Sequence, residues 1–191
     1  SGVLKRIAVQ LSKICNDLRL LSSGPRAGFG EINLPAMQAG SSIMPGKVNP
    51  VIPEVVNQVA FEVFGNDVTI NFAAEGGQMQ LNAFEPIIAK SLQRSLGLLA
   101  TGCVTLADRC VSGITANEER LRQNVESSIS LVTALNPIIG YKLATQIATD
   151  AFVQGRNVRD IVLERQLMSE QDLDDALSAE LLTQPRAYNK K

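Results

Sequence analysis

Histidine is missing from this sequence altogether. Its absence excludes, for this chain by itself, a Ser-His-Asp triad, a histidine general base and a histidine-based zinc site. Tryptophan is absent too, and aromatic residues amount to only 4%. Charge of either sign is nearly balanced, at a formal net charge of -1. Neither a basic face for nucleic acid nor an acidic tail for cationic partners is therefore expected. Long apolar runs are lacking as well: the charge-free apolar run between Arg94 and Asp108 is too short to cross a bilayer. No targeting peptide is read, because Ser1-Gly2 leads straight into a helical pattern. Cysteine is scarce and odd in number: Cys15, Cys103 and Cys110, the last two seven apart on one helical face. Buried, reduced thiols in a cytoplasmic protein are expected, rather than a disulfide or a metal site.

What is present suits a well-buried globular protein. Hydrophobic residues make up 45% and charged residues 19% of 191 residues, enough for one ordinary domain or two small ones. Leu4, Ile7, Ala8, Leu11, Ile14, Cys15, Leu18 and Leu21 recur at three- and four-residue steps, which predicts a helix over about 3–21. Ser22-Ser23-Gly24-Pro25 stops it. From there to Asn49 runs a segment with five glycines and three prolines. Segments of this length in compact proteins are usually functional or disordered, and the embedded Phe29, Ile32, Leu34 and Met37 argue against plain disorder.

A second helix is predicted from Asn49 or just after, with Asn49 as its cap and Pro50 at the first helical position. Gly76-Gly77 ends it. A third is predicted over about 82–111, started or kinked at Pro86. Its stretch 95–107 carries no charge on any face, so it needs cover on all sides, which points to burial in a homo-oligomer. Beyond Gly113 the predicted helices are short and charged: about 117–125, 137–154, 158–165 and 170–177. Asn136-Pro137 reads as a helix start, Gly155 as a stop, and Ser169 with Asp172 as a capping-box variant. No strand pattern is evident. The fold class is all-α: a long-helix bundle over 1–115, then a small helical domain over 116–191.

The segment 40–50, Gly-Ser-Ser-Ile-Met-Pro-Gly-Lys-Val-Asn-Pro, has neither helical nor strand periodicity. It holds two hydroxyls, an ammonium and a carboxamide. Gly40 and Gly46 permit tight turns that aim backbone amides inward. Lys47 supplies positive charge, and the following helix turns its positive end toward the loop. These residues alone describe an anion-binding loop and do not name a reaction. A serine such as Ser41 could act as a base only if its alkoxide is stabilised by amides, a cation or a helix N-terminus. Glu54, one helical turn on, can hold a neighbouring group or a water.

This segment resembles the signature GSSxMPxKxNP of the fumarase/aspartase superfamily. The likeness extends along the chain, through 12–28, Gly65-Asn66-Asp67, Gln80-Leu81-Asn82 and Gly113-Ile114-Thr115-Ala116-Asn117. The flanks 51–59, 73–82 and 158–165 are closer to the aspartase branch than to class II fumarases. The resemblance implies elimination of ammonia from aspartate to give fumarate, through a carbanion whose extra charge rests on a carboxylate. It implies Ser41 as the catalytic base, and Lys47, Asn49 and Ser42 as substrate-binding residues, with Glu54, Gly40 and Gly46 in support. It also implies a small dicarboxylate substrate, no organic cofactor, no metal ligands, and a homotetramer whose active sites draw on three subunits. No nucleic acid or membrane partner is implied. Family chains are more than twice this length, and their N-terminal part carries a carboxylate-binding and a histidine-containing region. Many of them have histidine where Ile138 stands. The chain is therefore expected to be a C-terminal part, inactive by itself, with its segment 24–49 partly disordered or displaced for want of its anchors. The alternatives are part of a class II fumarate hydratase and a non-catalytic helical scaffold of the same superfamily.

Overall fold

The computed structural model describes residues 1–24, 26–38, 40, 44 and 46–184. The chain divides into two compact units, Ser1–Asn117 and a second that begins at Glu118. Long helices dominate the first: α1 (Gly2–Leu21), α2 (Val51–Glu75) and α3 (Glu85–Arg109). α2 packs against both of the others. Each helix turns one stripe inward. On α2 it is Pro53, Val56, Asn57, Ala60, Val63, Asp67, Ile70 and Ala73, at the three- and four-residue spacing of one helical face. Small residues let the helices approach, with Ala8 and Ala60 beside Val63 and Leu99 in one cluster. A second cluster joins Cys15, Val56, Leu106 and Cys110 to Leu34 and Ile52. Full burial of a side chain such as Val56 or Val63 stabilises by about 1.5–3 kcal/mol.

Buried polar groups in this bundle are partnered. Asn57 donates from Nδ2 to the Ser12 carbonyl at 3.1 Å and to Ser12 Oγ at 2.9 Å. Asp67 is buried on α2, 3.0 Å from the Lys5 ammonium, and accepts from Asn71 at 3.2 Å. Hydrogen bonds from Ser1 and Lys5 hold its carboxyl below the usual range, against the opposing effect of burial. A carboxylate depressed in the folded state stabilises the fold above its unfolded value of about 3.9, and that contribution is lost as pH falls through the lower folded value. Asp67→Asn should therefore be less stable than the parent near neutral pH, and the gap should narrow as pH falls below about 3.9. Denaturant unfolding across that range checks it; a constant gap would remove the carboxylate as the cause.

Several sequence expectations change here. α2 is capped by Pro50 rather than Asn49, without a side-chain cap hydrogen bond. The stretch 95–107 buries one face only, Ser95, Leu99, Gly102 and Leu106, and leaves Leu96, Cys103 and Val104 exposed in a single chain. Cys103 and Cys110 do not share a buried face: Cys110 lies just past the end of α3 and is buried, while Cys103 points outward. Two short strands also form, β1 (Ile32–Asn33) and β2 (Thr115–Ala116), paired antiparallel. At two residues each they are too short to leave a period in the sequence.

The second unit contains α4 (Glu118–Glu126), α5 (Val132–Ile139), α6 (Tyr141–Gln154), α7 (Val158–Glu164), α8 (Glu170–Ala176) and α9 (Ala179–Thr183). Its core gathers Val132, Leu135, Ile147, Val158, Val162 and Leu173. The predicted single helix over 137–154 is two helices. Gly140, at φ +81°, ends α5 and starts α6, and Pro137 lies inside α5 instead of opening a helix. Ser169 does cap α8, accepting from the Asp172 amide at 3.1 Å. No described helix is long and apolar enough to cross a membrane.

Candidate active site

The segment between α1 and α2 is tied down in its first half. Ser22 closes α1, and the amides of Gly30 and Glu31 donate to the carbonyls of Ser23 and Leu21 at 2.7 and 2.9 Å. Gly28 passes so close to the Ser23 backbone that a Cβ there would overlap it. β1 then pairs with β2, and Leu34 packs into the Cys15–Val56–Leu106–Cys110 cluster. Through the described residues 26–38, the segment is thus better anchored than the sequence suggests. The apolar contact of Leu34 with the ends of the helices supplies the hold.

In the second half the chain closes on itself. A Cβ at Gly40 would fall inside the Lys47 carbonyl group, so the two backbones meet at a distance only glycine allows. The Lys47 amide donates to the Met44 carbonyl at 3.3 Å, closing a turn in which Gly46 takes φ +78°. That region of backbone space is disfavoured for residues with a Cβ. Lys47 is exposed, and Asn49 and Glu54 are half-buried. The Asn49 carbonyl accepts from Val51 at 2.9 Å, and Glu54 lies in the first turn of α2, where the helix dipole favours a carboxylate. The structure therefore brings Gly40, Gly46, Lys47 and Asn49 together at the N-terminus of α2, with Glu54 one turn along. Ser41 and Ser42 lie outside the described residues. Ile138 is more than half exposed on α5 in the second unit.

Leu34 and Ile52, on either side of the loop in sequence, pack into apolar surroundings. Burial pushes the Cys15 thiol up to about 11, with the nearby Cys110 adding to the rise and Arg19 opposing it; burial also raises Cys110. Both sulfurs are thereby kept as unreactive thiols, packing groups rather than nucleophiles. An open hollow of about 490 Å³ lies elsewhere, along the middle of α2, lined by Gln58, Phe61, Glu62, Gly65, Asn66 and Thr69. Its carboxylate is already paired, Glu62 with Arg94 at 2.6 Å. Among the described residues, no group of three or more histidine, cysteine or acidic side chains is arranged to hold a metal.

Sequence reasoning missed Asn33 and Asn117. They lie 84 positions apart, yet their side chains bond to each other across β1 and β2. The only signal was that Asn117 closes the family-like stretch Gly113-Ile114-Thr115-Ala116-Asn117.

Two family models match the chain, one described as "Lyase" over residues 1–65 and one as "Fumarase C C-terminus" over residues 131–184. An aspartate ammonia-lyase of Helicobacter pylori is 59% identical over 190 residues, covering all of this chain and 41% of that protein. A crystal structure titled as fumarate lyase:delta crystallin from Brucella melitensis bound to cobalt superposes with a TM-score of 0.90 at 55% identity, over 96% of this chain and 40% of that one. A recombinant class II fumarase from Schistosoma mansoni gives 0.85 at 35% identity, over 96% and 39%. The chain spans about 40% of the length of the curated relatives it matches.

Proposed function

This chain belongs to the fumarase/aspartase superfamily, and we propose that it is the C-terminal part of an aspartate ammonia-lyase. The whole enzyme would be a carbon-nitrogen lyase that reversibly converts L-aspartate to fumarate and ammonia. The observation that carries the reading is the 59% identity to an aspartate ammonia-lyase along the whole chain, against 35% to the fumarase.

The reaction begins at a weakly acidic C–H bond beside a carboxylate. Ser41, as its alkoxide, takes that proton, and the C–H electron pair moves into the carboxylate, which becomes a dianion. Lys47, Asn49 and Ser42 hold this charge; donors that grip the dianion more strongly than the starting carboxylate lower the barrier. The pair then returns to form the double bond, the C–N bond breaks, and the protonated amine departs as ammonia. The closure of Gly40 on the Lys47 backbone supports these roles, since it holds that part of the loop four residues before α2 begins, at the helix end that favours an anion. Glu54 supports the loop from the first turn of that helix.

The same reading takes the enzyme as a cytoplasmic homotetramer. In one chain Phe61, Val68 and Phe72 of α2 and Leu96 and Val104 of α3 are exposed, a large apolar area to leave in water. The chain by itself would not turn over aspartate, because the relatives' N-terminal regions complete the site.

The test is the full-length protein, offered aspartate and malate in parallel. It should consume aspartate, leave malate untouched and elute as a tetramer. Turnover of malate alone would replace the reading with a hydratase, and an oligomer inert to both would favour a scaffold. In that protein Lys47→Ala should lose a charge-assisted contact worth about 1.5–3 kcal/mol, a fall of roughly ten- to a hundredfold in kcat/KM for aspartate. An unchanged kcat/KM would make Lys47 a solvated loop residue.

A further inference from the structure

The segment that leads to Gly40 has one fixed point on the far side of the chain. Asn33 Nδ2 donates to Asn117 Oδ1 at 2.6 Å and to Thr115 Oγ1 at 3.3 Å. Asn117 Nδ2 donates in return to Asn33 Oδ1 at 3.1 Å and to the Gly30 carbonyl at 2.8 Å. The Asn117 amide reaches the Glu31 carbonyl at 2.9 Å, continuing the pairing of Ile32 with Ala116 and Asn33 with Thr115. Two positions on, Pro35 lies against Gly113 so closely that a Cβ there would stand 2.5 Å from Pro35 Cγ. A two-residue ladder is not stable unaided. The side-chain amides, the Pro35–Gly113 contact and the packing of the partly buried Leu34 make it hold.

We propose that Asn33 and Asn117 form a clasp that positions the substrate loop, with Asn117 as a positioning residue for Lys47 and Asn49. The proposal rests on the catalytic reading of that loop. Between Pro35 and Gly40 lie five steps of chain, with a reach of about 17 Å when extended. The clasp at one end and the start of α2 at the other are the points from which the loop hangs. Releasing one end widens the set of conformations the loop visits and lowers the fraction ready to bind. Apparent affinity falls in proportion to that fraction, while saturating substrate draws the loop back to its working form. The expected signature is a rise in KM with kcat preserved. A purely structural role gives the opposite pattern: folded protein is lost, the maximal rate falls with it, and the KM of the surviving molecules stays the same.

The experiment uses the full-length enzyme carrying Asn33→Ala, Asn117→Ala or both, with Ser41→Ala assayed beside them. Each single variant should raise KM for aspartate by roughly tenfold with kcat within about twofold. The double variant should be no worse than the poorer single one, because both lose the same contact. Unchanged KM in both single variants, or a loss of maximal rate that tracks a lowered Tm at constant KM, overturns the clasp while an inactive Ser41→Ala leaves the catalytic reading standing. Normal turnover in Ser41→Ala would instead defeat the catalytic reading, and the clasp proposal with it.

Discussion

Replacing Ser41 by alanine in the full-length protein is expected to lower kcat by roughly 10²–10⁴, the usual weight of a positioned general base, with the fold intact. The loop itself offers no histidine. A base drawn from it has to be a group whose ionised form the loop stabilises. An alkoxide is costly in water and becomes accessible only where amides, a cation and a helix terminus converge. Lys47 and the start of α2 are the positively charged members of that set in this chain. The prediction separates base from binding group. Ser41→Ala should act on kcat at nearly constant KM, whereas Ser42→Ala, which removes only a donor to the substrate, should cost far less in kcat. Rapid-quench or steady-state kinetics with aspartate decide it, alongside circular dichroism to establish folding. Near-normal turnover in Ser41→Ala would take Ser41 out of the mechanism.

The helices were largely legible because their signals are local. The stripe from Leu4 to Leu21 is a helix from Gly2 to Leu21, and Pro86 stands in the first turn of α3. What was not legible depends on contacts between distant residues or on the exact placing of a turn. Asn136-Pro137 carries the chemistry of a helix start, yet the positive φ of Gly140 moves the start four residues on. Leu34 reads as one apolar residue in a glycine-rich stretch; its packing against the cluster of Cys15 and Leu106 exists only once three helices are in place. The Asn33–Asn117 pair is closed across 84 positions, and no window of sequence contains both. The site shows the same division. Lys47, Asn49 and Glu54 stand out in the sequence by residue type, and the structure places them around the start of α2, where Pro50 takes the capping position expected of Asn49.

The two loop glycines answer to different constraints, and their substitutions should separate. Gly46 needs its dihedral: at φ +78° an alanine is strained by about 1–2 kcal/mol, yet its Cβ would meet nothing within 4 Å. Gly40 needs space: an alanine Cβ would collide with the Lys47 carbonyl, which is backbone and cannot rotate away as a side chain would. The loop can admit that methyl group only by moving Lys47, and with it the ammonium and the approach to Asn49. A displacement of about 1 Å in a positioning group can cost on the order of 10² in rate. Gly40→Ala is therefore expected to lower kcat/KM for aspartate by about a hundredfold in the full-length enzyme, with little change in Tm, since the collision lies in a surface loop. Gly46→Ala should lose less, because the strain can relax within an open turn. Equal losses from the two would mean that loop order in general, not the closure of Gly40 on Lys47, limits the reaction. Unimpaired turnover by Gly40→Ala would show that the working loop does not pass through this closure at all.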